Sequence, residues 1–267
     1  MTRPLLTQAA RPLTFEIDAI NEHGGIVPTA IAGEHPLTIY VDKQEIVTLM
    51  TLGAAPEALT LGYLRNQRLI NALDDIVSVQ VDWEVDAVAV VTRLGSGIAP
   101  ERMEKRTVTT GCGQGTIFGD MMADIDKMQL AAGATLSQET LYGLLDAVRH
   151  HESIYKQAGA VHGCALARGN EILMFVEDVG RHNAVDAIAG KMWLDELDGG
   201  DKIFYTTGRL TSEMVIKTAQ MGIPFLVSRS GLTQMGWEIA SKLRMTMIGR
   251  AQGKHYLLFS GQERFIR

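Results

Sequence analysis

The chain is 267 residues long, 46% hydrophobic and 21% charged, with a formal net charge of −6. That length can bury one large core or two small ones, and the acidic balance argues against a general nucleic-acid coat, which relies on a basic surface. No apolar run approaches a membrane span, no basic-then-apolar export signal is read, and two cysteines, Cys112 and Cys164, make no disulfide framework.

The expected compartment is therefore the reducing cytoplasm, with no membrane and no nucleic acid as partner. From Met1 to Glu34 the chain reads as a loosely structured arm with one strand near Leu13–Ile17. Leu37–Val41 alternates in strand fashion, Asp42–Gln44 is a turn, and Glu45–Met50 is a second strand. Pro56–Asn66 reads as a short helix with Pro56 in its first turn. The β-branched runs Ile76–Trp83 and Ala87–Thr92 flank acidic turn residues and read as a hairpin. Residues 1–105 are thus expected to form a smaller N-terminal α+β domain. The glycine-rich stretch Ala99–Gly119 is a linker candidate, and residues 106–136 are assigned as a mobile cysteine loop.

Ser137–His150 reads as a helix capped by Ser137, with Leu141, Leu144, Leu145 and Val148 as its apolar stripe. Strands and helices then alternate: strand at Ala165–Ala167, turn at Arg168–Asn170, strand at Glu171–Val176, helix at Asn183–Leu194. Strand Lys202–Thr206, helix Ser212–Met221, strand Pro224–Ser228, helix Thr233–Leu243 and strands Met245–Gly249 and His255–Phe259 follow. Such alternation predicts a three-layer α/β sheet over residues 137–267.

The polar stretch Thr107–Thr116 sets Cys112 between glycines, with Arg102, Lys105 and Arg106 upstream. Glycines admit another molecule to the sulfur and a positive field favours the thiolate. Spacing alone leaves two readings open: a reactive cysteine, or a loop cysteine with no role. Cys164, in the apolar run Val161–Ala167, reads as buried and inert. Three strand-to-helix junctions carry arginines, at Val176–Ala184 with Arg181, Thr206–Met214 with Arg209, and Val227–Gln234 with Ser228 and Arg229. Ligands bind outside the carboxyl ends of such strands, and helix N-termini with arginine forks suit phosphate oxygens. Helix capping by Thr211, Ser212, Thr233 and either Asp178 or Asn183 explains part of this pattern but not three arginines. His182 can be a base, a metal ligand or a hydrogen-bonded turn residue. A zinc site from Cys112, His162, Cys164 and His182 lacks zinc-site spacing, so no intrinsic metal is expected. His150-His151 reads as an exposed helix end. The stretch Gly249–His255 joins two strands and offers Arg250, Lys254 and His255 as positive charge between glycines.

Several strings together resemble the formate dehydrogenase accessory sulfurtransferase family, FdhD. They are Arg106–Gly113, Ala158–His162, Glu177–Asp186, Gly208–Val215, Gly222–Ser230 and Ile248–Gly253. The resemblance implies a cytoplasmic sulfur carrier with a cytidine-deaminase-like sheet domain, a second smaller domain and a homodimeric state. It implies that a cysteine desulfurase loads a loop cysteine as persulfide, and that sulfur passes to the molybdenum bis(guanine dinucleotide) cofactor before insertion into formate dehydrogenase. Cys112 falls on the first cysteine of the family's Cys-x-x-Cys loop. The cofactor-binding stretch falls on Arg250, Ala251, Gln252, Gly253, Lys254 and His255. One departure stands out: the loop reads Cys112-Gly-Gln-Gly115, so a two-cysteine relay is excluded. Cys112 alone can still carry a persulfide, since exchange needs only a nucleophilic sulfur and an acceptor. The alternative is a cofactor-holding chaperone without transfer. A zinc-dependent deaminase is disfavoured because the zinc-ligand motifs are missing.

Overall fold

The computed structural model describes residues 3–98 and 125–267, and between them only the two-residue strands Thr107–Val108 and Gly115–Thr116. Cys112 and its basic neighbours lie outside the described residues.

The N-terminal part is built on a five-stranded sheet. In chain order its members are β1 (Leu5–Leu6), β4 (His35–Val41), β5 (Gln44–Thr51), β6 (Ile76–Asp82) and β7 (Ala87–Thr92). They lie side by side as β1-β6-β7-β4-β5. Alternation does what the sequence predicts: Leu37, Ile39 and Val41 of β4 and Val88 and Val90 of β7 are buried while their neighbours are not. The segment expected as a loose arm is more ordered than its composition suggests. It contributes β1 and a ribbon of β2 (Thr14–Ile20) with β3 (Ile26–Ala32). Pro28 within Ile26–Ala32 hid the second strand, because proline is tolerated where a strand faces no further neighbour.

Helix α1 (Pro56–Asn66) starts with proline at its first turn, as expected, and is buried around nearly its whole circumference. It has the N-terminal sheet on one side and α4 (Arg181–Leu194) on the other. The two helices cross backbone to backbone at Gly62 and Gly190. A Cβ at Gly62 would sit 1.7 Å from the Asp186 carbonyl oxygen, and one at Gly190 would sit 1.9 Å from that of Ala58.

The larger sheet follows α2 (Gln138–His150) and the short α3 (Ile154–Ala158). Its strands are β11 (His162–Arg168), β12 (Glu171–Asp178), β13 (Ile203–Thr206), β14 (Phe225–Ser228), β15 (Thr246–Gln252) and β16 (His255–Ser260). The order is β12-β11-β13-β14-β15-β16, with β13, β14 and β15 parallel and the flanking pairs antiparallel. Helices α5 (Ser212–Gln220) and α6 (Gln234–Lys242) connect the parallel strands. Between the two-residue strands already given, numbered β8 and β9, and β11 lies β10 (Leu136–Ser137), which pairs with the terminal β17 (Phe265–Ile266).

Both faces of the larger sheet are buried. Cys164, Leu166, Phe204, Leu226 and Met247 join α4, α5, α6, α1 and the N-terminal sheet in one continuous core. Ala165, Ala167, Tyr205, Phe225 and Val227 face the other way, onto Leu141, Leu144 and Leu145 of α2. Period-two alternation along strands wetted on neither face explains why these runs read as continuously apolar.

Candidate functional site

The sheet register brings the polar junctions to one edge. His162 at the start of β11 pairs with Asp178 at the end of β12, Cys164 pairs with Thr206 at the end of β13, and Thr206 pairs with Ser228 at the end of β14. The three arginine-bearing junctions therefore leave the sheet side by side, where ligands of such folds bind.

Each junction is braced by a buried side chain on backbone. The Asp178 carboxylate accepts from Thr51 Oγ1 at 2.5 Å, Leu52 N at 3.1 Å, Gly180 N at 3.0 Å and Asn183 Nδ2 at 2.8 Å. It thus ties β5 to the entry of α4, and burial holds its pKa above the ordinary value despite these donors. Neither Asp178 nor Asn183 caps α4 in the usual sense; Gly180 occupies that position. Thr206 Oγ1 accepts from Gly208 N at 3.0 Å. Ser228 donates to the Gly208 carbonyl at 2.7 Å and accepts from Ser230 N at 2.9 Å. The second and third junctions are joined by Leu210 N to the Gly231 carbonyl at 2.9 Å and Thr233 N to that of Leu210 at 3.1 Å. Thr233 caps α6 through Gly236 N, whereas Thr211 sits at the start of α5 without such a bond.

With the loops held this way, Arg209 and Arg229 are exposed, and Arg181 is buried against Gly208, where a Cβ would lie 2.9 Å from Arg181 Cδ. All three arginines act on one ring. His162 is half-buried and its pKa is lowered, first by burial and then by Arg181, Arg229 and Arg209. Beyond burial, three guanidinium groups bear on this ring, so it sits in a region of positive potential.

Beside it opens a cavity of about 250 Å³, at the small end for a small-molecule site. Arg229, Ala251, Gln252 and Gly253 line it, as do Arg149, Lys156, Tyr155, Phe175 and Tyr205. The Arg229 guanidinium lies 5.0 Å from the centre of the Tyr155 ring. Glu177 places that wall, since its carboxylate accepts from the backbone N–H groups of Ile154 and Tyr155 at the start of α3. A second cavity of about 340 Å³ adjoins it, shares Ser153, Phe175 and Glu177, and is lined further by Leu13, Leu52, His151 and Lys191.

Not every residue singled out in the sequence reaches this space. Ser228 is fully buried with its hydroxyl engaged, so it shapes the loop. Arg250, Lys254 and His255 are exposed on the β15–β16 hairpin and do not line the cavity. The bulge between Gly249 and Gln252, with Arg250 at φ 52, turns Ala251, Gln252 and Gly253 toward the cavity instead. His182 lies beneath the site, 1% exposed, with Nε2 3.4 Å from Glu213 Oε2. Burial lowers its pKa to about 3, so the ring is neutral. Lys217 Nζ completes the cluster, 2.7 Å from Asp186 Oδ2 and 3.3 Å from Glu213 Oε1, and Asn66 Nδ2 donates to Asp186 Oδ1 at 2.7 Å. Burial works against the Lys217 ammonium, yet Asp186 and Glu213 outweigh it and hold its pKa above the ordinary value.

Cys164 is 0% exposed, burial pushes its thiol up to about 12, and Sγ lies 3.3 Å from Thr206 Oγ1. It is not an exchange thiol and does not stand in for the missing loop cysteine. Among the described residues no three His, Cys, Asp or Glu side chains gather as metal ligands. His151, expected at an exposed helix end, is half-buried with its ring 4.3 Å from that of Phe175. The sequence reading missed Arg149, Tyr155 and Lys156. Arg149 looks like an ordinary basic residue at a helix C-terminus, and α3 is too short to leave a periodic signal.

A profile described as the FdhD/NarQ family matches residues 32–266. The sulfur carrier protein FdhD of Listeria monocytogenes serotype 4b (strain F2365) is 29% identical over 240 residues, covering 89% of this chain and 92% of that protein. That of Halalkalibacterium halodurans is 29% identical over 269 residues, covering 100% of this chain and 97% of that protein. A crystal structure of a putative formate dehydrogenase accessory protein from Desulfotalea psychrophila superposes with a TM-score of 0.76 at 25% identity, over 96% of this chain and 100% of the other. This chain belongs to the FdhD/NarQ family.

Proposed function

We propose that this FdhD/NarQ member is a sulfur carrier serving formate dehydrogenase. It takes sulfur from a cysteine desulfurase as a Cys112 persulfide and passes it to molybdenum bis(guanine dinucleotide) cofactor held at the carboxyl edge of the larger sheet. The observation that carries the binding half is that the junctions bearing Arg181, Arg209 and Arg229 leave one edge of the sheet side by side, next to a cavity lined by Arg229, Arg149 and Lys156. Pyrophosphates match these cations, and the Tyr155, Phe175 and Tyr205 walls offer aromatic surface for a guanine. The names of the relatives, sulfur carrier proteins and a formate dehydrogenase accessory protein, support the carrier half.

The transfer balances without an added oxidant. The Cys112 thiolate attacks the outer sulfur of the donor's persulfide, one S–S bond forms as another breaks, and the donor leaves as a thiolate. In the second step the cofactor, as substrate, supplies the two electrons that reduce that outer sulfur to a sulfide ligand, the S–S bond breaks, and Cys112 returns as thiolate. In this reading the 106–136 segment is the carrier loop between the parts spanning 1–105 and 137–267. The fold is then the three-layer, cytidine-deaminase-like arrangement, and the protein works in the cytoplasm as a homodimer. No helix of the described residues is long and apolar enough to cross a membrane.

Two observations favour a second reading, a cofactor-holding chaperone without transfer: glycine at the second cysteine position, and a Cys164 too buried to replace it. Complementation separates the two. In a host lacking its own FdhD, the wild-type chain restores formate dehydrogenase activity and Cys112→Ala does not. Restoration by Cys112→Ala supports the chaperone, and failure of the wild-type chain removes both.

A further inference from the structure

Strand β12 turns two acidic neighbours to opposite sides. Val176 and Asp178 face the core shared with α1 and α4, whereas Phe175 and Glu177 face α2 and α3. Glu177 is 8% exposed, and its carboxylate has no ion-pair partner among the described residues. It accepts instead from backbone N–H groups, Oε2 from Ile154 N and Oε1 from Tyr155 N. The opposite strand makes room for this pair of side chains: Gly163 pairs with Glu177, and a Cβ there would stand 3.0 Å from Phe175 Cζ.

Helix α3 depends on that carboxylate. None of its five residues is buried. Ser153 Oγ accepts from Lys156 N at 3.2 Å and Lys156 Nζ donates to the His151 carbonyl at 2.7 Å, so these bonds stay within the segment. The chain leaves α3 through Gly159 at φ 64 and Ala160 at φ 55, a backbone region that alanine enters at a cost. The helix touches β3 of the ribbon and, through Tyr155, Arg229. Among the described residues, the two bonds to Glu177 are the ones that tie its backbone to the larger sheet. It is also the partition between the two cavities: Tyr155 and Lys156 line the first, Ile154 and Gln157 the second. A shift of α3 therefore reshapes both at once.

We propose that Glu177 is a positioning residue of the ligand site: through the α3 backbone it holds Tyr155 and Lys156 across the first cavity from Arg229, where a nucleoside diphosphate is gripped between them. The proposal rests on the cofactor-site reading above and adds a residue to it. Glu177 acts through α3, because both of its oxygens are committed there. Its charge and its bracing pull in opposite directions. A carboxylate next to Arg229 and Lys156 lowers the local positive potential, so losing the charge alone tightens binding of an anion. Losing the brace frees α3 and weakens binding. Glutamine in its place is neutral, keeps one acceptor oxygen and turns an NH2 toward the other N–H.

Calorimetry of the full chain with guanosine diphosphate reads which effect wins. Glu177→Ala weakens binding roughly tenfold and Glu177→Gln about threefold, on the scale of lost hydrogen bonds. Glu152→Gln, which removes the same charge from the exposed turn before α3, binds as tightly as the wild type or tighter. Hydrogen exchange finds the α3 amides opening faster in both Glu177 variants while the strands of the larger sheet keep their protection, a pattern that a general loss of stability does not produce. In a background of Tyr155→Ala with Lys156→Ala, adding Glu177→Ala changes binding by less than about twofold, since nothing is left to position. Should Glu177→Ala fail to fold, Glu177→Gln carries the same readings. Folded Glu177 variants that bind as tightly as the wild type or tighter, α3 amides that exchange at the wild-type rate, or a full Glu177 effect in the double background each overturn the positioning role while the site stands. A wild-type chain that does not bind guanosine diphosphate overturns the site and this role together.

Discussion

Replacing Gly62 by alanine sets two effects of opposite sign against each other. Alanine in place of glycine within a helix stabilises it by about 1 kcal/mol. The new methyl would stand 1.7 Å from the Asp186 carbonyl oxygen and 2.8 Å from Gly190 N, both backbone atoms that no rotamer change can move aside. Reaching ordinary contact near 3.5 Å requires α1 and α4 to separate by about 1.5 Å, and overpacking of this kind costs about 1–3 kcal/mol. The separation also stretches the 2.7 Å bond from Asn66 to Asp186, leaving a buried carboxylate short of a donor at about a further 1–3 kcal/mol. The net effect is a destabilisation of about 3 kcal/mol, or a fall in Tm of roughly 6–10 °C for a chain of this length. Differential scanning fluorimetry of Gly62→Ala measures it. Gly133→Ala, where a Cβ meets nothing within 4 Å, serves as the neutral control. A Gly62→Ala protein that melts at or above the wild-type temperature would refute the close crossing and the central position of α1.

Lys217→Met leaves Asp186 and Glu213 buried without their cation, and urea unfolding should show a loss of about 3–5 kcal/mol. Arg229→Glu should weaken guanosine diphosphate binding, read by calorimetry, by at least tenfold and flatten its salt dependence, while Arg3→Glu, remote from the cavity, leaves both unchanged. His182 stays neutral in the folded chain down to about pH 3, whereas the unfolded chain takes up that proton near pH 6.5. Stability from this residue is therefore complete above pH 6.5 and is lost as pH falls toward 3, on the order of 5 kcal/mol over that window. His182→Gln should show a shallower fall in Tm between pH 7 and pH 4 than the wild type; parallel curves would contradict the buried neutral ring.

How much of this could be read in the sequence depended on whether the cause was local. Helix α1 is legible through Pro56 in its first turn, yet its burial on nearly every side comes from lying between a sheet and α4. Gly62 and Gly190, each unfavourable within its own helix, make sense only once they face one another. The three junction arginines were legible because strand–helix alternation fixes where junctions go. Arg149 and Lys156 reach the same cavity from α2 and α3 on the other side of β11 and β12, a juxtaposition no linear pattern encodes. Ser228 and His182 stand at the right junctions with suitable chemistry, but side-chain direction, set by strand alternation and helix phase, sends both inward. In the C-terminal hairpin the bulge after Gly249 decided which of six consecutive residues face the cavity.

The central claim is that Cys112 carries sulfur, and intact mass spectrometry under non-reducing conditions tests it most directly. Purified chain is incubated with an active cysteine desulfurase and cysteine, with Cys112→Ala alongside. A gain of about 32 Da, one sulfur atom on the thiol, that is present in the wild type and absent from Cys112→Ala is the predicted result. An unmodified wild-type chain, or an adduct that persists in Cys112→Ala, would contradict it.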